Sequence, residues 1–309
     1  MDSSDKKLSP LPFDTNTIQN IIDASLSAQL SSNTDQQHLN SLKPLSESSS
    51  HQQYSSRSNA VTEITADSTT LPISSGPIII FKNPDPTHEG ALRFTRITQD
   101  PINFLMDCSS AVYSSLYTPF TSNLKKLKTI TFYVESFGKE GGVAHTTQNK
   151  EAQTAEIHFN SDYIANYESD IQNEISGVTI HELVHCWQHD SNGSSPWWII
   201  EGIADYIRER EGWAPPHWKE MKGGKWDQGY SVTGYFLKWL ESKMSHGLGD
   251  LGGFVRLLNE RMGTELQWTN DVFHDFCGKT LEQLWDEYQN ELSPTKSSSS
   301  SNAPVPTHT

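Results

Sequence analysis

The pentapeptide His181-Glu182-Leu183-Val184-His185 is where the chain concentrates groups that could do chemistry. On a helix, positions i and i+4 share one face, so both imidazoles can reach a single ion. The glutamate between them lies beside that face, where it can take a proton from an activated water. By composition alone such a pentapeptide arises in roughly a few per cent of chains of this kind, so it needs a second element. That element is Glu201-Gly202-Ile203-Ala204-Asp205, which begins 16 residues after His185. Between them Asp190-Ser191-Asn192-Gly193-Ser194-Ser195 reads as a tight turn that folds the second segment back on the first. Glu201 then supplies a third ligand, giving a His2Glu set for one Zn2+ ion with a fourth position open for water. Asp205, one turn later, is placed to accept a proton from a ligating imidazole and fix its tautomer. The competing account has Glu201 complementing a helix dipole and Asp205 on a solvated face.

Neighbouring residues fit less well. The metzincin pattern HExxHxxGxxH needs Gly at 188 and His at 191, where this chain has Gln188 and Ser191. His189 is expected to tip the helix end as a cation rather than to ligate. Cys186 points about 100° away from His185 around the helix, which suits core packing. His158, on a strand, reads as a structural histidine.

Several elements must position these groups. Asp170 to His189 reads as one long helix, capped by Asp170 and closed by Asn192-Gly193. A second helix is predicted to open at Ser195-Pro196, with Ser195 as cap, and to run through Arg210. Strands are expected at Ile78–Phe81, Thr129–Val134 and Ala155–Phe159, and helices at Pro101–Leu116, Tyr230–Lys243 and Leu281–Leu292. The segment from Phe137 to Val143 lacks GxGxxG spacing and reads as a turn. Strands early and helices late predict an α+β fold, with a small N-terminal sheet beside the active-site helix and a helical C-terminal part.

Composition bounds the rest. Residues 1–76 hold 18 serines, and with 293–309 they are expected to be disordered tails. Within the first tail, Ile18 to Leu26 has helical spacing and could dock on a partner that the sequence does not identify. The remaining 216 residues, 77–292, carry all nine tryptophans and form one domain. The formal charge is −15, of which −12 falls in 77–292, so phosphate backbones and anionic membranes are poor partners. No apolar run approaches the ~18–20 residues of a bilayer span. Three scattered cysteines and no signal-like start favour a cytoplasmic location, with unconventional secretion still compatible.

His181-Glu182-Leu183-Val184-His185-Cys186-Trp187-Gln188, followed by Ile200-Glu201-Gly202-Ile203-Ala204-Asp205-Tyr206-Ile207-Arg208, resembles the plant basic secretory protein family, also called peptidases of plants and bacteria, which has fungal members. Trp226-Asp227-Gln228-Gly229-Tyr230-Ser231-Val232-Thr233 and the strand around Glu156-Ile157-His158 match the same pattern. The resemblance covers most of 77–292 and implies a zincin-like metallopeptidase domain, with a proposed defence or extracellular role in plants. The acidic balance and the missing signal depart from "basic" and "secretory". The ExxxD spacing of Glu201 and Asp205 is also similar to that of thermolysin-like gluzincins. Similarity to zincins implies that the strand Ala155–Phe159, with Ile157 and His158, offers an edge to an extended peptide.

The chemistry expected is hydrolysis of a peptide or protein substrate, with Glu182 as general base. The oxyanion needs a donor besides the metal, and Tyr230 is the candidate, matching the family's tyrosine. Its competing reading is a phenol packed on Trp226, and Tyr206 and Tyr235 are alternatives. Two rivals stay open: a non-catalytic zincin-fold binding or defence-associated protein, and a hydrolase of another bond. Trp187, Trp197 and Trp198 read as helix packing. Trp213, Trp218 and Trp226 surround a loop that could wall a cleft.

Overall fold

The computed structural model describes residues 76–118, 121, 123–138, 140–244 and 253–292. The Ile18–Leu26 segment and nearly all of both tails lie outside them. The fold is mixed α+β: one four-stranded sheet early in the chain, then a mostly helical remainder. Strands β1 (Ile78–Lys82), β2 (Thr129–Glu135), β3 (Ala144–Asn149) and β4 (Thr154–Asn160) stand in the order β1-β2-β4-β3. β1, β2 and β4 run parallel, while β3 returns antiparallel to β4.

This order corrects one expectation. The strand around Ile157 and His158 is interior, paired with β2 on one side and β3 on the other, and offers no edge. Ile157 is fully buried, and His158 pairs with Glu135 at 2.6 Å between the rings of Tyr133 and His145. On this side of the sheet the edge belongs to β3, whose sequence Ala-His-Thr-Thr-Gln-Asn lacks the apolar alternation that marks a strand.

Phe94, on α1 (Glu89–Thr98), packs against Phe81, Phe132 and Phe159 from three strands. On the chain go α2 (Pro101–Leu116), the short α3 (Ser161–Asn166), α4 (Ile171–Trp187) and α5 (Trp197–Arg210). The helical part ends with α6 (Tyr230–Met244), α7 (Phe254–Thr264), α8 (Asp271–Cys277) and α9 (Leu281–Glu291). Helices α1, α3, α7 and α8 lie outside the sequence expectations; α3 and α8 are only six and seven residues long.

α4 is the central element. Asp170 caps it through Asn173 N–H, as expected, and it is buried on nearly every side between the sheet, α2 and α5. Its end differs from the expectation: Gln188 is the capping residue, and Asn192-Gly193 belongs to a separate 3-10 turn, Ser191–Gly193. α5 starts one residue later than predicted, because Pro196 is still extended and supplies the first carbonyl, leaving the buried Ser195 hydroxyl without a partner. Gly202 lets α5 and α6 meet, since a Cβ there would run into Thr233. Cys108, Cys186 and Cys277 are buried free thiols. No helix among the described residues is long and apolar enough to cross a membrane.

Candidate metal centre

His181 and His185 project from successive turns of α4, and Glu201 meets them from α5. The Nε2 atoms of the two rings are 3.1 Å apart, and Glu201 Oε2 lies 3.1 Å from one and 3.6 Å from the other. Among the described residues this is the one cluster of His, Cys, Asp or Glu able to share a metal ion. The spacing suits a tetrahedral site, whose ligands at about 2.0–2.1 Å from an ion stand about 3.3 Å from each other.

The outer nitrogens are held as well. Asp205 Oδ1, one turn along α5 from Glu201, lies 2.7 Å from His181 Nδ1. Gln188, one turn after His185, places its carboxamide nitrogen Nε2 2.8 Å from His185 Nδ1 and leaves its buried Oε1 without a partner; turning the amide over would put the oxygen against Nδ1. A ring that ligates through Nε2 keeps its hydrogen on Nδ1, and a carboxylate or carboxamide oxygen can accept it. Gln188 had no role in the sequence reading, although its i+3 spacing from His185 was visible.

The electrostatics favour positive charge. Among the protein groups alone, burial of His181 favours the neutral ring, but the hydrogen bonds to Asp205 and Glu201 outweigh it and raise the imidazole to about 10. Burial of Glu201 favours the neutral acid, and the hydrogen bonds from both histidines overcome it, holding the carboxyl well below the usual range. A proton and a metal cation thus compete for the same spot.

Glu182 is buried on the sheet side of α4, where Thr146 Oγ1 donates to its Oε2 at 2.7 Å and to its main-chain oxygen at 3.1 Å. Thr146 comes from β3, so the edge strand also steadies the candidate base. Nothing in the local sequence pointed to this residue.

Tyr230 opens α6 with φ of +46°, a left-handed conformation uncommon for an aromatic residue. Its ring stacks on His181 at 6.3 Å and 13° and lies 6.1 Å from Trp197, so its ring partners are not Trp226. The Glu201 charge, then burial, raise the phenol pKa, which keeps it an O–H donor at neutral pH. Tyr206 is buried and Tyr235 packs near Lys238, and neither lines the cleft. His189 also departs from expectation. It lies beyond the helix cap, its Nε2 2.9 Å from the Asn123 carbonyl, and burial lowers its pKa rather than making it a cation.

A cleft of about 880 Å³ surrounds these groups. It follows α4 from Glu174 to Gln188, with β3 as one wall and Glu201, Asp205, Tyr230 and Trp218 opposite. That stretch of helix is about 21 Å long, room for about six residues of extended peptide.

A family model described as "Peptidase of plants and bacteria" (BSP) matches residues 77–288. No curated protein and no solved structure matches the chain.

Proposed function

The chain belongs to the peptidases of plants and bacteria, and from that premise we propose that it is a zinc-dependent peptidase with a zincin-like domain, gluzincin-like in its third ligand. The observation that carries the reading is the convergence of His181 Nε2, His185 Nε2 and Glu201 Oε2 on one point beside Glu182. These three residues would hold the ion, and nitrogen and oxygen donors with a fourth side facing the cleft suit a catalytic rather than a closed structural site. A bound Zn2+ supplies Lewis-acid polarisation of a carbonyl and lowers the pKa of a water toward about 7.

The chain's own groups do the rest. Glu182, held by Thr146, takes the proton of the attacking water and passes it to the leaving nitrogen. Tyr230 reaches over His181 from the far side, where its O–H can donate to the oxyanion as the carbonyl becomes tetrahedral. Asp205 and Gln188 fix the two imidazole planes. The peptide lies extended along β3, the edge strand that replaces β4 in this role.

Elemental analysis of protein purified without chelators, combined with a peptide-hydrolysis assay, tests the reading. Wild type is expected to hold about one zinc, Glu201→Ala to lose it, and Glu182→Gln to keep it while losing about 10²–10⁴-fold in turnover. Absence of zinc from wild type after reconstitution, or full activity in Glu182→Gln, would overturn it.

A further inference from the structure

Trp197 stands where packing does not require it. It is 56% exposed on the first turn of α5, whereas its neighbour Trp198 is buried against Trp268 and Phe273. Four residues before Glu201, it shares that residue's face of the helix. Its ring lies 6.1 Å from Tyr230 at 54°, and Tyr230 in turn stacks on His181. The rings of His181, Tyr230 and Trp197 therefore follow one another outward from the candidate metal triad, Tyr230 lining the cleft and Trp197 standing next to it, just outside that lining.

The backbone is shaped to hold it. Gly229 has φ of +70°, and a Cβ there would run into the six-membered ring of Trp197. The next residue, Tyr230, is again left-handed at φ +46°. A glycine and an aromatic residue in succession with positive φ is a costly arrangement, and here its visible result is two rings aimed at the same space. Tyr230, too, is half exposed and lines the cleft, so the pair presents bare ring surface in the cleft and just beyond it.

We propose that Trp197 and Tyr230 form a shelf that seats a large apolar side chain of the substrate, aromatic above all, beside the bond to be cut. The proposal rests on the peptidase reading and names the substrate class. Two tilted rings leave faces and edges open to a third in offset or T-shaped contact. A cationic side chain is the poorer occupant. Of the carboxylates whose charge acts on Tyr230, Glu201 and Asp205 are engaged by His181 and His185, and Glu182 accepts from Thr146, so a desolvated ammonium would find all three already partnered.

The test uses the full chain loaded with zinc and internally quenched hexapeptides in which each position in turn is Phe, Leu, Ala, Arg or Asp. Wild type is expected to prefer Phe over Ala by at least about tenfold in kcat/KM at one position flanking the cleaved bond. Trp197→Ala should reduce that preference to about threefold or less and leave the other positions unchanged, while Trp197→Phe retains most of it. A preference that survives Trp197→Ala, or a stronger one for Arg, overturns the shelf and leaves the peptidase reading standing. If wild type cleaves no peptide, the peptidase reading falls, and binding decides the shelf. In that case Glu182→Gln should bind the Phe hexapeptide more tightly than the Ala hexapeptide in calorimetric titration. Equal affinities, or a difference that persists in Glu182→Gln/Trp197→Ala, overturn it.

Discussion

A neutral histidine can offer Nε2 to a cation only while its hydrogen stays on Nδ1. The two imidazoles of α4 stand differently to that condition, His181 with an acceptor in place and His185 needing the Gln188 amide turned to present its oxygen. His181 has a buried carboxylate, Asp205, at 2.7 Å, whereas His185 has the neutral carboxamide of Gln188 at 2.8 Å. Despite burial of the ring, the hydrogen bonds to Asp205 and Glu201 raise the His181 imidazole, so at this ring a proton competes with a metal. Tyr230 belongs to the same scale. Its hydroxyl is the only part of its proposed role that phenylalanine would lack, since the stacking on His181 and Trp197 survives the exchange. Tyr230→Phe is therefore expected to lower kcat by about 10²–10³ while KM stays within about threefold, as measured by steady-state kinetics. Unchanged kcat would reduce Tyr230 to a packing residue of the shelf.

At the scale of elements, the position of the ligands depends on how α4 is held at its C-terminal end, where helices leave carbonyls unpaired. Side chains from three other segments satisfy them. Tyr117 donates to Trp187 O at 2.6 Å, Lys125 to Gln188 O at 2.8 Å, and Gln148 on β3 to His185 O at 2.6 Å. Lys125 is notable because burial lowers its ammonium to about 8. Between about 8 and the ordinary lysine value near 10.4, the unfolded chain holds the extra proton, so this group's contribution to stability rises with pH across that window. Below about 8 the lysine is charged in both states and the contribution is flat. Denaturant unfolding of wild type and Lys125→Met at pH 7, 8, 9 and 10 should show a stability difference that moves in favour of wild type above pH 8. A pH-independent difference would remove the buried-charge account.

At the scale of the whole molecule, the described core starts at the first strand, the family match spans 77–288, and the residues that line the cleft lie between 142 and 231. Deleting residues 1–74 is expected to leave the thermal midpoint within about 2–4 °C, the equivalent of about 1 kcal/mol for a domain of this size. Zinc content should be unchanged. A larger loss in calorimetry would mean that the first 74 residues contribute to the fold. The same scale shows why the acidic balance matters: Glu182, Glu201 and Asp205 lie around one point of a chain whose net charge is −15, a field that draws a divalent cation inward.

Much of the candidate site was legible in the sequence because its spacings are local. The i, i+4 pair His181/His185 and the i, i+4 pair Glu201/Asp205 follow from helical geometry alone, and a short turn between two helices brings the pairs together. The fold class, the strands β1, β2 and β4 and the Asp170 cap of α4 follow from equally local patterns. What the tertiary structure decided are relations between distant segments. Strand order made β4 interior and β3 the edge, and β3 is too polar to announce itself. Thr146 reached Glu182, and Lys125 reached the end of α4, across 36 and 63 residues of chain. Trp197 and Trp198 are adjacent and chemically identical, yet one is exposed beside Tyr230 and the other buried, because burial depends on what the rest of the chain packs against each face.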